Sequence, residues 1–183
     1  MNIKTIIDSY KSSVIQIATP YSIGTGFYIA DFDLIITCEH IVRDNRSVVI
    51  ASDGLKKQRV NIIYLDEKYD LAFLHAPKDH NMKGIHMSDM ESTVQVKTRV
   101  VALGHPFGLQ YQAMQGTITK KLYEINKINN YIHNATLSPD SSGGPLISMT
   151  GNLLGINTFQ SIRENTEAEA LPTQYLRDCL HDF

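Results

Sequence analysis

Two cysteines in 183 residues, Cys38 and Cys179, are too few for a disulfide framework, and their spacing does not say whether they pair. No apolar run approaches the ~20 residues that a membrane-spanning helix needs. The opening MNIKTIIDSYKSSVIQIA also lacks the continuous apolar segment and small-residue cleavage site of a secretory signal. Neither sign of charge is in excess: 17 Lys and Arg stand against 19 Asp and Glu, a formal net charge of −2. The short pairs Lys56-Lys57 and Lys120-Lys121 read as solvated faces, so neither nucleic acid nor an anionic membrane is expected as a partner. His75, Asp79 and His80 lie close together but match no standard ligand spacing, and no metal or cofactor is expected. Internal repeats and low-complexity tracts are absent. What is left is a reduced, globular chain, expected in the cytoplasm, or in the periplasm if the chain has been trimmed.

What is present is a series of short strands. Apolar runs with β-branched and aromatic residues recur at 14–18, 24–30, 34–38, 47–51, 59–65, 71–76, 99–104, 113–123, 131–137, 145–149 and 152–159, separated by turn residues. That many short strands points to an all-β barrel or sandwich rather than βαβ units. Helical spacing is confined to the ends: residues 2–12, and 171–180, where Leu171, Tyr175, Leu176, Cys179 and Leu180 share a face behind Pro172, a good first-turn residue. A chain this long can bury roughly 70% of its unfolded surface, enough for a proper core without staples.

The stretch LSPDSSGGPLIS (137–148) raises a chemical question, because its Ser, Gly, Pro and Asp also build ordinary turns. A nucleophilic serine there needs a base within hydrogen-bond reach and a carboxylate to orient it. Of the seven histidines, His40 stands apart, directly after the apolar strand LIITC, where rigid backbone can present an imidazole to a cleft. Asp70 immediately precedes the apolar run LAFLHA. The order His40, Asp70, Ser142 is one of the chain orders known for this geometry. Cys38, two residues from His40, reads as a small buried hydrophobe, and His105 as a turn residue.

Several blocks together resemble the trypsin-like protease domain of HtrA (DegP-like) serine proteases, over about residues 10–183. GTGFYIADFDLIITCEHIV is similar to the family's GSGF…T-N-x-H-V block, YLDEKYDLAFLHA to its D-x-x-x-D-(L/I)-A block, and VVALGHPFGLQ to A-(I/L)-G-N-P-F-G-L. MQGTIT, SPDSSGGPLIS and GNLLGINTF follow in the family's order, and AEALPTQYLRDCL resembles its closing F-A-I-P helix segment. The resemblance implies two packed six-stranded antiparallel β-barrels of chymotrypsin type with a short N-terminal and a C-terminal helix. It implies one domain over 1–183, with barrels at about 13–90 and 95–170 and a closing helix at about 172–181.

By the same resemblance the catalytic residues are His40, Asp70 and Ser142, with Ser142 rather than Ser141 as nucleophile. Backbone N–H groups of Asp140 and Ser142 would form the oxyanion hole, and Thr136, Leu137, Gly155, Asn157 and Thr158 would bind substrate. The implied activity is serine endopeptidase action on protein or peptide substrates, in an effector or quality-control role. The alternatives are a silent protease-fold peptide-binding module and a regulated effector domain of a larger intracellular sensor. The family's PDZ module is not in this sequence, and an added C-terminal domain or an oligomer stays open. Asp140 stands where the family has glycine, which is expected to favour an inactive oxyanion loop. Thr136 supplies no charge at the pocket floor, so cleavage after small or medium aliphatic residues is expected.

Overall fold

A computed structural model describes residues 2–105, 110–158 and 167–183. Among the described residues twelve strands form two closed antiparallel barrels, each of six strands. The first contains β1 (Val14–Ala18), β2 (Ile23–Ile29), β3 (Leu34–Thr37), β4 (Ser47–Ser52), β5 (Leu55–Asp66) and β6 (Leu71–His75). The second contains β7 (Arg99–Gly104), β8 (Gln112–Ile125), β9 (Ile128–His133), β10 (Pro145–Ser148), β11 (Leu153–Asn157) and β12 (Ala168–Pro172). The first barrel closes in the order β1-β2-β3-β6-β5-β4 and the second in β10-β11-β12-β9-β8-β7. Counted from its own first strand, the second barrel has the same ring order as the first.

The local sequence explains the pattern of burial. In β3, LIIT, all four residues are buried, because one face fills the barrel and the other packs on neighbouring structure. β5 instead alternates from Gln58 onward, with Val60 buried while Arg59, Asn61, Ile63 and Leu65 face solvent. Helix α1 (Ile3–Tyr10) starts at Asn2, whose side chain accepts from the Thr5 N–H at 2.9 Å, and it buries Ile6 and Tyr10 one turn apart. The Tyr10 hydroxyl donates to the Gly151 carbonyl, tying the N-terminal helix to the second barrel. Helix α3 (Thr173–Asp182) buries Leu176, Cys179 and Leu180. Its Arg177 donates to the carbonyls of Met87 and Met90, clamping the connection between the barrels. Cys38 and Cys179 are both free and buried.

One element is missing from the sequence reading. Residues 168–172, AEALP, form β12, paired with β11 and β9, so Leu171 belongs to a strand and Pro172 caps α3 rather than opening its first turn. A proline fits that place because no N–H is needed where the strand ends. β9 covers Ile128–His133 instead of 131–137; beyond it Asn134 turns the chain, its side-chain oxygen accepting from the Thr117 N–H at 2.7 Å. Phe159, at the end of the expected strand 152–159, lies outside the described residues.

Candidate active site

The seam between the barrels collects the expected catalytic residues. β3 ends at Thr37, and a short helix α2 (Glu39–Val42) carries His40. Asp70 precedes β6 in a left-handed conformation, φ 54°, which aspartate tolerates better than most residues. Its carboxylate binds His40 at two points. Oδ1 accepts from the His40 backbone N–H at 2.9 Å, and Oδ2 lies 2.6 Å from His40 Nδ1. The Asp70 carbonyl also accepts from the Glu39 N–H at 3.2 Å, so helix start and acid hold each other in place. Tyr69 stacks on Tyr175 of α3 at 5.1 Å, bracing the segment that carries Asp70.

Ser142 ends a 3-10 turn, Pro139–Ser141, at the entrance to β10. Both flanking serines are buried, yet their hydroxyls differ. Ser141 Oγ lies 3.5 Å from Ser138 Oγ, whereas Ser142 Oγ has no hydrogen-bond partner among the described residues. A buried hydroxyl left unpaired is costly and calls for an explanation; a nucleophile waiting for its base supplies one. The bond from Ser142 to His40 is not made here, as is common in substrate-free sites.

The first barrel holds this turn directly. The Thr25 N–H donates to the Ser142 carbonyl at 2.9 Å, the Thr25 hydroxyl donates to the Asp140 carbonyl at 2.8 Å, and the Thr37 hydroxyl donates to the Thr25 carbonyl at 2.8 Å. This stitching explains the glycine after the serine. Gly143 has φ +91°, and a Cβ there would lie 2.0 Å from the Thr25 carbonyl oxygen.

One of the two expected oxyanion donors is engaged within the turn. The Ser142 N–H donates to the Pro139 carbonyl at 3.2 Å, so a carbonyl oxygen occupies the donor that an oxyanion would use. Asp140 is not in a positive-φ conformation in this turn, and burial raises its carboxyl above the usual range.

The expected substrate-binding residues are spread around the seam. Thr136 is exposed and Leu137 buried beside the turn. Gly155 lies within β11, paired with Leu146 and Pro172. Asn157 is fully buried as a strut: its carbonyl accepts from the Gly143 N–H at 2.7 Å and its N–H donates to the Gly144 carbonyl at 2.8 Å. Thr158 donates its N–H to the Glu169 carbonyl at 3.1 Å and lines a cavity next to His40 and Asp70.

Three further residues pack around the site; Cys38 reads from sequence as a small buried hydrophobe, and sequence reasoning passed over Glu169 and His133. Cys38 lies against the dyad, its sulfur, a His40 ring nitrogen and an Asp70 oxygen all within 4.8 Å of one another. Burial pushes the Cys38 thiol up, keeping it protonated. Glu169 is a buried acid on β12, in the place where the resembled F-A-I-P pattern has phenylalanine; that substitution was the available signal. His133, fully buried, shares a 2.9 Å bond between its Nε2 and Asn157 Oδ1, and its Nδ1 accepts from the Ala135 N–H at 3.2 Å. Nε2 is therefore the protonated nitrogen of a neutral ring, and burial lowers its pKa to about 4. The unfolded chain binds this proton more readily than the fold does, so stability is expected to fall as pH drops from about 6.5 to 4. The full effect is roughly 3 kcal/mol. Denaturant titrations across that range should show the loss, and His133→Gln should flatten it; an equally steep curve for the variant would remove His133 as the cause.

A double six-stranded barrel with an aspartate–histidine pair and a serine turn in its seam defines the class of chymotrypsin-like serine peptidases. Residues 24–156 match the family described as trypsin-like peptidase domain. The chain belongs to that family, and its named relatives are HtrA/DegP-like proteases. It is 31% identical over 139 residues to the periplasmic serine endoprotease DegP-like of Chlamydia pneumoniae, covering 74% of this chain and 28% of that protein. Serine protease HTRA4 of Mus musculus is 27% identical over 171 residues, 90% of this chain and 35% of that one. The chain thus spans about a third or less of the length of these relatives. Among solved structures, the HtrA-type protease AlgW with tripeptide superposes with a TM-score of 0.88 at 20% identity, over 100% of this chain and 63% of that one. The Rv3671c protease of M. tuberculosis, inactive form, gives 0.83 at 22% identity, over 97% and 91%. No helix among the described residues is long and apolar enough to cross a membrane. The expected cytoplasmic location gains no support, since the Chlamydia relative is named as periplasmic.

Proposed function

We propose that this domain hydrolyses internal peptide bonds through an acyl-enzyme formed on Ser142, with His40 as the base and Asp70 as its orienting acid. The observation that carries the reading is the two-point grip of Asp70 on His40, set in the same seam as a buried serine hydroxyl that has no partner among the described residues. Asp70 keeps the proton on Nδ1, so the Nε2 lone pair is the one available to Ser142. His40 takes the serine proton as Oγ attacks the peptide carbonyl and returns it to the leaving amine. Water then repeats the cycle on the acyl-enzyme. The substrates are proteins or peptides, and with no charge at Thr136 a cation would be left unpaired at the pocket floor. A peptide library digested with the purified protein should show cleavage after Val, Ala, Leu, Ile or Thr. Dominant cleavage after Lys or Arg would overturn the placement of that pocket.

One observation favours a second reading, a catalytically silent peptide-binding module: the Pro139 carbonyl already occupies the Ser142 N–H. On the enzymatic reading the Pro139–Asp140 peptide turns over to open the hole, which asks Asp140 for a positive φ that costs a side-chained residue about 1–2 kcal/mol. At about 1.4 kcal/mol per tenfold in rate, Asp140→Gly is expected to raise basal turnover by up to roughly tenfold with KM little changed. Steady-state kinetics on the two proteins decide it. A slower glycine variant would make Asp140 part of the working hole, and no turnover from either protein would favour the silent module.

A further inference from the structure

We propose that the cavity beside the His40–Asp70 pair is an acidic subsite, built on Glu169, that receives a lysine or arginine side chain of the bound peptide. The cation would come from the residue immediately N-terminal to the one whose carbonyl is attacked. The proposal rests on the peptidase reading for its substrate class but not for its test.

The cavity has a volume of about 330 Å³ and is lined by His40, Asp70, Thr158 and Glu169 among others. Glu169 is 5% exposed, and its Oε2 has no hydrogen-bond partner among the described residues. Arg43 also lines the cavity, but its guanidinium grips the Glu39 carboxylate at 2.6 and 2.8 Å. Lys68 and Glu67, of opposite charge, also line it, and Lys68 Nζ lies 5.1 Å from the Tyr69 ring centroid. Asp70 is committed to His40. Burial raises the Glu169 carboxyl; a hydrogen bond from Thr158 opposes this, and the charge of Asp70 adds to it. A buried carboxyl oxygen with no partner is costly, and an ammonium or guanidinium brought by the substrate would satisfy it.

The position of the cation follows from strand geometry. Successive side chains of an extended peptide point to opposite faces. If the residue at the attacked carbonyl points toward Thr136 and Leu137, the residue before it points the other way, toward His40 and the cavity behind it. The cation disfavoured at the first pocket is thereby accepted at the second.

The test is binding to Ser142→Ala, which needs no turnover, of two peptides that differ only in lysine or norleucine before a valine. Isothermal titration should show lysine bound about tenfold tighter or more, the discrimination one charge-assisted pair gives. In the Ser142→Ala/Glu169→Gln double variant the ratio should fall to near one, with norleucine affinity kept. Equal affinities for the two peptides without the glutamine change would overturn the proposal, whether or not the double variant folds. A lysine preference that survives Glu169→Gln, or no binding of either peptide, would overturn it too. An equal loss for both peptides in the double variant would mark Glu169 as a support for the seam and sink the subsite. Failure of the peptidase reading shows separately, as parent protein that a serine-directed fluorophosphonate does not label.

Discussion

Changing Ser142 to alanine is expected to reduce peptide hydrolysis on the order of a million-fold, the loss seen when the nucleophile of such a unit is removed, while thermal stability stays level or rises. The two halves of that expectation share one cause. Ser142 Oγ is buried and has no hydrogen-bond partner among the described residues, so removing it breaks no bond and relieves an unpaired polar group. Functional groups held at such a cost are where activity and stability trade against each other. The backbone contacts that hold the turn, Thr25 N–H to the Ser142 carbonyl and Gly143 N–H to the Asn157 carbonyl, do not involve the side chain and survive the change. A fluorophosphonate adduct should map to Ser142 in the parent protein, vanish in Ser142→Ala and persist in Ser141→Ala. Mass spectrometry of the labelled peptide checks it, and an adduct on Ser141 would overturn the assignment of the nucleophile.

How much of this could be read in advance depended on whether a feature is local. The strands at 14–18 and 99–104 coincide with the observed ones, because β-branched runs bounded by turn residues are a signal contained within a few positions. β12 escaped because AEALP is short, carries an acid and ends in proline; only its partners β11 and β9 make it a strand. The shared ring order of the two barrels is equally invisible in the residues, since different side chains fill each core. Within the site, His40 and Asp70 stood out beside apolar strands, whereas Ser142 was told from Ser141 only through the family resemblance. Glu169 showed only as an acid where the resembled pattern has phenylalanine; its oxygen without a partner among the described residues lies by a cavity that forms only when the barrels meet. The closed turn at Pro139 is a matter of one peptide orientation, and composition carries no trace of it beyond the aspartate that replaces glycine.

Asp70→Asn is expected to leave the fold standing and still cut turnover on the order of 10,000-fold, as in triads of this type. Asparagine suits the test for a backbone reason: Asp70 has φ 54°, and asparagine tolerates the left-handed region as aspartate does, whereas alanine would add strain to the loss of charge. Asparagine can still offer one oxygen to the His40 backbone N–H, in place of the 2.9 Å bond that Oδ1 accepts now. Its amide N–H₂ then faces His40 Nδ1 where Oδ2 stood at 2.6 Å, and a donor there makes Nδ1 the acceptor. The ring proton moves to Nε2, the atom that must receive the serine proton, and the base is lost without a change of shape. Nitrogen-15 NMR of the histidine ring reports the tautomer independently of rate, with Nδ1–H expected in the parent and Nε2–H in the variant. A folded variant that keeps the Nδ1–H signal or loses less than about tenfold in kcat would take Asp70 out of the orienting role.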